Sequence, residues 1–127
     1  MSAQSKQKIL IIDDAPLETI VLSKILLPFY DVRIASNGQI GLDLIEKFDF
    51  DLIILDIIMP EISGFEVLAR LKSCDKTKDI PVIIITGLDS SADTKKGIEL
   101  GADEYITKPF EEHIITLKVK INIMNGQ

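Results

Sequence analysis

A single cysteine in 127 residues closes off one route to stability at once. Cys74 has no partner for an internal disulfide and lies in a Lys/Asp-rich stretch, so it reads as an ordinary thiol in a reducing compartment, with no redox or metal role. Long apolar runs are also missing. None approaches the roughly 20 residues of a membrane span, and the polar first eight residues do not make a signal peptide. The expectation is a soluble, cytoplasmic protein with no membrane partner. Fourteen Lys and Arg stand against 20 Asp and Glu, a net charge of -6, and no basic patch interrupts the acidic balance. Direct binding of nucleic acid or of an anionic membrane is therefore not expected. There is no glycine fingerprint for a nucleotide, no internal repeat and no low-complexity linker. The chain is read as one domain over 1–127, with residues 1–7 a flexible N-terminal segment. That length suffices to bury about two thirds of the unfolded chain's surface.

What the chain has is an alternation of short apolar runs with helix-like segments, the pattern of an α/β protein with a parallel sheet. The first helix carries Pro16 at an early position, where its missing N–H costs nothing, then Leu17, Ile20, Val21, Lys24 and Ile25 before Pro28. The second follows Asn37-Gly38 with Ile40, Leu44 and Phe48 on one stripe. A third begins near Gly64-Phe65 and carries Leu68 and Leu71; a fourth covers about 90–100 and a fifth about 110–125. Runs 1, 3 and 4 are continuously apolar, as strands covered on both faces must be, whereas Val32-Arg33-Ile34 alternates and the last run is short. With right-handed crossovers this gives a doubly wound five-stranded parallel sheet of order 2-1-3-4-5, its topological switch between strands 1 and 3.

Four of these runs end on residues suited to handling a phosphoryl group. Lys8 to Ile12 leads into Asp13-Asp14, Leu52 to Leu55 into Asp56, Val82 to Ile85 into Thr86, and Tyr105 to Thr107 into Lys108-Pro109. Parallel strands bring these ends to one sheet edge, where open α/β sheets bind ligands. Three carboxylates crowded there repel one another and call for a cation, and an all-oxygen site with room for water suits Mg²⁺. One carboxylate can then attack phosphorus, and Asp56, alone at the end of the middle strand, is the candidate nucleophile. Thr86 and Lys108 would neutralise the phosphoryl oxygens.

The set Asp13-Asp14, Asp56-Ile57-Ile58-Met59-Pro60 with Gly64, Thr86-Gly87, and Gly101 to Phe110 resembles the receiver domain of two-component response regulators, of the chemotaxis type, across essentially the whole chain. The resemblance implies a flavodoxin-like (βα)5 fold and an Asp56 phosphoacceptor supplied by a sensor histidine kinase or a histidine phosphotransfer protein. It implies Mg²⁺ ligation by Asp14, Asp56 and the carbonyl of Ile58, with Asp13 acting largely through water. Thr86 and Tyr105 would form the switch pair, Lys108 would pair with Asp56 before phosphorylation, and Pro109 would follow it through a cis bond. The family is a signalling phosphoacceptor, limited to self-phosphorylation and self-dephosphorylation. Its output here would pass through helix 4, strand 5 and helix 5, to a second copy or a downstream effector.

Taken singly, each residue has another reading. Asp14 before Ala15-Pro16 fits a helix N-cap, Thr86 a loop cap, Lys108-Pro109 a solvated turn and Tyr105 a half-buried edge aromatic. Their joint placement on four strands favours the site. A hydrolase working through an aspartyl phosphate would alternate its carboxylates as Asp-x-Asp, and a flavodoxin-like cofactor binder would need a Ser/Thr/Gly-rich loop where Asp13-Asp14 stands. Three further expectations concern behaviour. Helix 4, with Gly97 in its interior at roughly 1 kcal/mol relative to Ala, is expected to be the most easily reshaped element. Helix 5 is expected to face the sheet with Phe110, Ile114, Leu117, Ile121 and Met124, leaving Ile115, Val119 and Ile123 for a second copy or a continuing helix, the alternative being a helix wedged more deeply. Ile58 and Leu88, two places after Asp56 and Thr86, cannot orient a water, so the aspartyl phosphate should be lost slowly. With no effector domain following helix 5, the chain reads as a stand-alone receiver or a piece of a longer regulator or hybrid kinase.

Overall fold

A computed structural model describes residues 6–126. In chain order the elements are β1 (Lys8–Ile12), α1 (Pro16–Leu26), β2 (Asp31–Ala35), α2 (Gly38–Lys47), β3 (Leu52–Leu55), α3 (Gly64–Lys72), β4 (Val82–Thr86), α4 (Ser91–Glu99), β5 (Glu104–Thr107) and α5 (Glu112–Asn125). All strands pair in parallel in the order β2-β1-β3-β4-β5, as expected, with the switch between β1 and β3. Of the segment expected to be flexible, residues 1–5 lie outside the described residues. Gln7 is tied down, because its carbonyl accepts the Asp31 N–H at 2.9 Å.

Strand alternation divides the core in two. Ile9, Ile11, Leu52, Ile54, Ile83 and Ile85 point to the side covered by α1 and α5. Leu10, Ile12, Ile53, Leu55, Val82 and Ile84 point to the side covered by α2 and α3. None of these twelve side chains is more than 2% exposed, and each full burial is worth about 1.5–3 kcal/mol, so the central strands carry a large share of the hydrophobic stabilisation. β2 and β5 are only partly covered, as edge strands are.

Three helices turn a different face to the sheet than their periodicity predicts. α1 buries Thr19, Leu22, Ile25 and Leu26, and leaves Leu17 78%, Ile20 49% and Val21 48% exposed. α2 buries Gly38, Gly41 and Ile45, with Ile40 and Phe48 outward. Gly41 permits this approach: a Cβ there would stand 2.5 Å from Ile12 Cδ1. In α5 the two stripes are exchanged. Ile115, Val119 and Ile123 enter the core, while Leu117, Ile121 and Met124 are exposed. Phe110 is only partly buried against the same layer. In α1 and α5 apolar residues fall on every side of the helix, so hydrophobic periodicity selects no single stripe and the chain's exit from the preceding strand decides.

α3 agrees with the sequence reading. It starts after Ser63, whose hydroxyl accepts the Glu66 N–H, and buries Leu68 and Leu71. α4 is capped by Ser90 and buries only Gly97, where a Cβ would lie 2.9 Å from Ile84 Cδ1 and 3.0 Å from the Tyr105 ring. Gly97 is therefore the contact that lets the helix sit on the tyrosine, besides being a weak point of the helix.

Candidate functional site

At the carboxyl edge of the sheet the backbone ladder runs one residue past the strands. The Asp13 N–H donates to the Ala35 carbonyl at 3.0 Å, the Asp56 N–H to Ile12 at 2.9 Å and the Lys108 N–H to Thr86 at 2.8 Å. The side chains that follow β1, β3 and β5 thus converge at fixed heights, with Thr86 closing β4 beside them. Asp13, Asp56 and Thr86 are 3%, 6% and 0% exposed, so their polar groups need partners. Asp56 Oδ2 accepts from Lys108 Nζ at 3.0 Å, and its Oδ1 accepts the Ile58 N–H at 3.2 Å. Asp13 Oδ1 accepts the Ala15 N–H at 2.9 Å, while its Oδ2 lies 3.5 Å from Lys108 Nζ. The peptide bond from Lys108 to Pro109 is cis, as the resemblance implied.

Burial pushes the Asp56 carboxyl up to about 6 from an ordinary 3.8. The Thr86 hydroxyl works against that rise, the Asp13 carboxylate adds to it, and the Ile58 and Ile57 backbone N–H groups again oppose it.

Glu18 is the residue that sequence reasoning missed. Its carboxylate accepts from Lys108 Nζ, and one oxygen each of Asp13, Glu18 and Asp56 lie within 4.8 Å of one another. Glu18 is the third helical residue of α1, at the end pointing toward the sheet edge, where the helix N-terminus favours an acid. A carboxylate in the first turn after an acidic strand end was the signal available. Asp14, by contrast, is exposed and does not belong to this group. The N-cap residue of α1 is Ala15 and no side chain caps the helix, so Asp14 does not have that capping role either.

The donor set suits a hard divalent cation: three carboxylates against one ammonium, all ligand atoms oxygen. Around the site, Gly64 is required by contact, since a Cβ would stand 2.1 Å from the Asp56 carbonyl oxygen. Gly87 is open, with nothing within 4 Å of a Cβ. Ile58 is 56% exposed. Tyr105 is half-buried against the α2–α3 layer and its hydroxyl donates to the Leu88 carbonyl at 2.8 Å, so the ring and the β4–α4 loop are joined.

Residues 9–120 match the model of the family described as response regulator receiver domain. A protein named probable cyclic di-GMP phosphodiesterase, from Vibrio cholerae serotype O1, is 36% identical over 98% of this chain, which spans 28% of its length. The DNA-binding dual master transcriptional regulator RpaA of Synechocystis sp. is 39% identical over 89% of the chain, and 47% of that protein is covered. The chain thus spans less than half the length of these curated relatives. Among solved structures, a CheY-like response regulator receiver domain protein from Methanospirillum hungatei superposes with a TM-score of 0.89 at 30% identity, covering 96% of this chain and 97% of that one.

Proposed function

The chain belongs to the response regulator receiver domain family, and we propose that Asp56 is its phosphoacceptor. The donor would be a phosphohistidine on a sensor histidine kinase or phosphotransfer protein. An Asp56 carboxylate oxygen attacks phosphorus, the P–N bond breaks, and the imidazole nitrogen keeps the electron pair, leaving an aspartyl phosphate. The observation that carries this reading is the buried Asp56 carboxylate paired at 3.0 Å with Lys108. Lys108 is positioned to follow the charge onto the phosphoryl oxygens, and the Thr86 hydroxyl to donate to them.

Asp13 and Asp56 would hold Mg²⁺ together with Asp14 and the Ile58 carbonyl. The bound ion would supply positive charge for the phosphoryl oxygens. In this reading the Thr86 hydroxyl and the Tyr105 ring form the switch. Support comes from Tyr105 being the side chain that links β5 to the loop after β4 and to Gly97 of α4. The α4–β5–α5 surface then presents the signal to a second copy or a downstream effector. The domain acts as a signalling phosphoacceptor in the cytoplasm, and not as an enzyme of multiple turnover. Among the described residues no helix is long and apolar enough to cross a membrane. Ile58 and Leu88 offer no side-chain hydrogen bond to water, which favours a long-lived phosphoryl group.

Incubation with a small acyl phosphate and Mg²⁺ should add one phosphoryl group, located on Asp56 by peptide mass analysis. Asp56→Ala should abolish it. A phosphoryl group on another residue, or persistence in the variant, would overturn the assignment.

A further inference from the structure

Lys108 has three N–H donors, and three carboxylates stand around its ammonium: Asp56 at 3.0 Å, Asp13 at 3.5 Å and Glu18. With its side chain only 17% exposed, it has little water to exchange them for. To bind an incoming phosphoryl group it must give up part of this shell. Asp56 stays beside it as the phosphorylated residue, and Asp13 serves the cation under the proposed function, on which this inference rests. With the cation assigned there to Asp13, Asp14, Asp56 and the Ile58 carbonyl, Glu18 has neither task. An interaction made in the resting state and weakened in the transition state raises the barrier by the difference.

We propose that Glu18 is a positioning residue that holds the Lys108 ammonium in the resting site and so restrains phosphorylation of Asp56. Its location suits such a role. The side chain is 35% exposed, on the first turn of α1 at the mouth of the site, and lies outside both core layers. Replacing it removes a partner of Lys108 without opening a cavity. The alternative is that Glu18 acts as a plain negative charge that repels the donor's phosphate, with no part played by the lysine. The two predict the same direction for a single variant and differ in a double-mutant cycle.

The test times phosphorylation by acetyl phosphate at saturating Mg²⁺, read by intact mass, in wild type, Glu18→Gln, Lys108→Met and the double variant. Glu18→Gln should be faster by about three- to ten-fold, the scale of one partly exposed charge-assisted hydrogen bond. Its melting temperature should stay near that of the wild type. In the Lys108→Met background the same change should have no effect. An unchanged or slower single variant overturns the proposal, as does an equal gain with Lys108 removed. Should Lys108→Met react too slowly to time, amine acylation of Lys108 in the unphosphorylated protein replaces that arm. Glu18→Gln should raise labelling of Lys108 several-fold, and unchanged labelling overturns the proposal. Failure of the wild type to be phosphorylated on Asp56 would instead remove the proposed function, and this inference with it.

Discussion

Asp56 concentrates the energetic tension of the molecule. Its carboxyl is raised to about 6 in the fold, chiefly by burial, against an ordinary 3.8. Between those values the native state binds more protons than the unfolded chain, so stability falls as pH rises through this window and is level above it. Asn at this position has no charge to bury. In metal-free buffer Asp56→Asn should therefore gain stability relative to the wild type as pH rises from about 4 to above 6. Urea unfolding at several pH values measures it, and a difference independent of pH would show that burial of the charge is not the governing cost.

At the scale of elements, the helices show how a sequence with apolar residues on more than one side is oriented. α5 has candidates on two sides, and the sheet takes Ile115, Val119 and Ile123. Val119→Glu should then place an unpaired charge in the layer against β3 and β4 and cost more than about 4 kcal/mol. Leu117→Glu, on the 50% exposed side, should cost within about 1 kcal/mol. Chemical denaturation of the pair checks the assignment, which fails if the costs come out alike. The exposed side also carries Met124 and borders a groove of about 520 Å³ lined by Phe29, Tyr30, Lys120 and Ile123. The apolar stripe available to a partner is thus Leu117, Ile121 and Met124, and not the one expected from sequence.

Across the whole molecule, folding gathers like charges. Asp13, Glu18 and Asp56 come together only when β1, α1 and β3 are in place, against a single Lys108. A ligand that binds only this assembled state stabilises it in proportion to its saturation. Mg²⁺ at about ten times its dissociation constant should add roughly 1.4 kcal/mol, a few degrees of melting temperature. Asp13→Asn and Asp14→Asn should each remove most of that gain. If Asp14→Asn keeps it in full, the exposed Asp14 is no ligand.

The strand order, the parallel sheet and the meeting of Asp13, Asp56, Thr86 and Lys108 were all legible in the sequence. Continuous apolar runs mark strands buried on both faces, and the polar residue ending each run can only lie at the sheet's carboxyl edge. Gly64 was legible as part of the motif, although its reason, a 2.1 Å clash with the Asp56 carbonyl, needs coordinates. Tertiary structure alone decided the inward faces of α1, α2 and α5, because Leu, Ile and Val occur on more than one side of α1 and α5 and Gly41 opens α2 to Ile12. It alone recruited Glu18 and left Asp14 outside the carboxylate group, because the angle at which α1 leaves β1 sets which acidic side chain reaches Lys108. Hydrophobic patterning constrains what is buried, and only the packing of one element on another directs the polar groups at its ends.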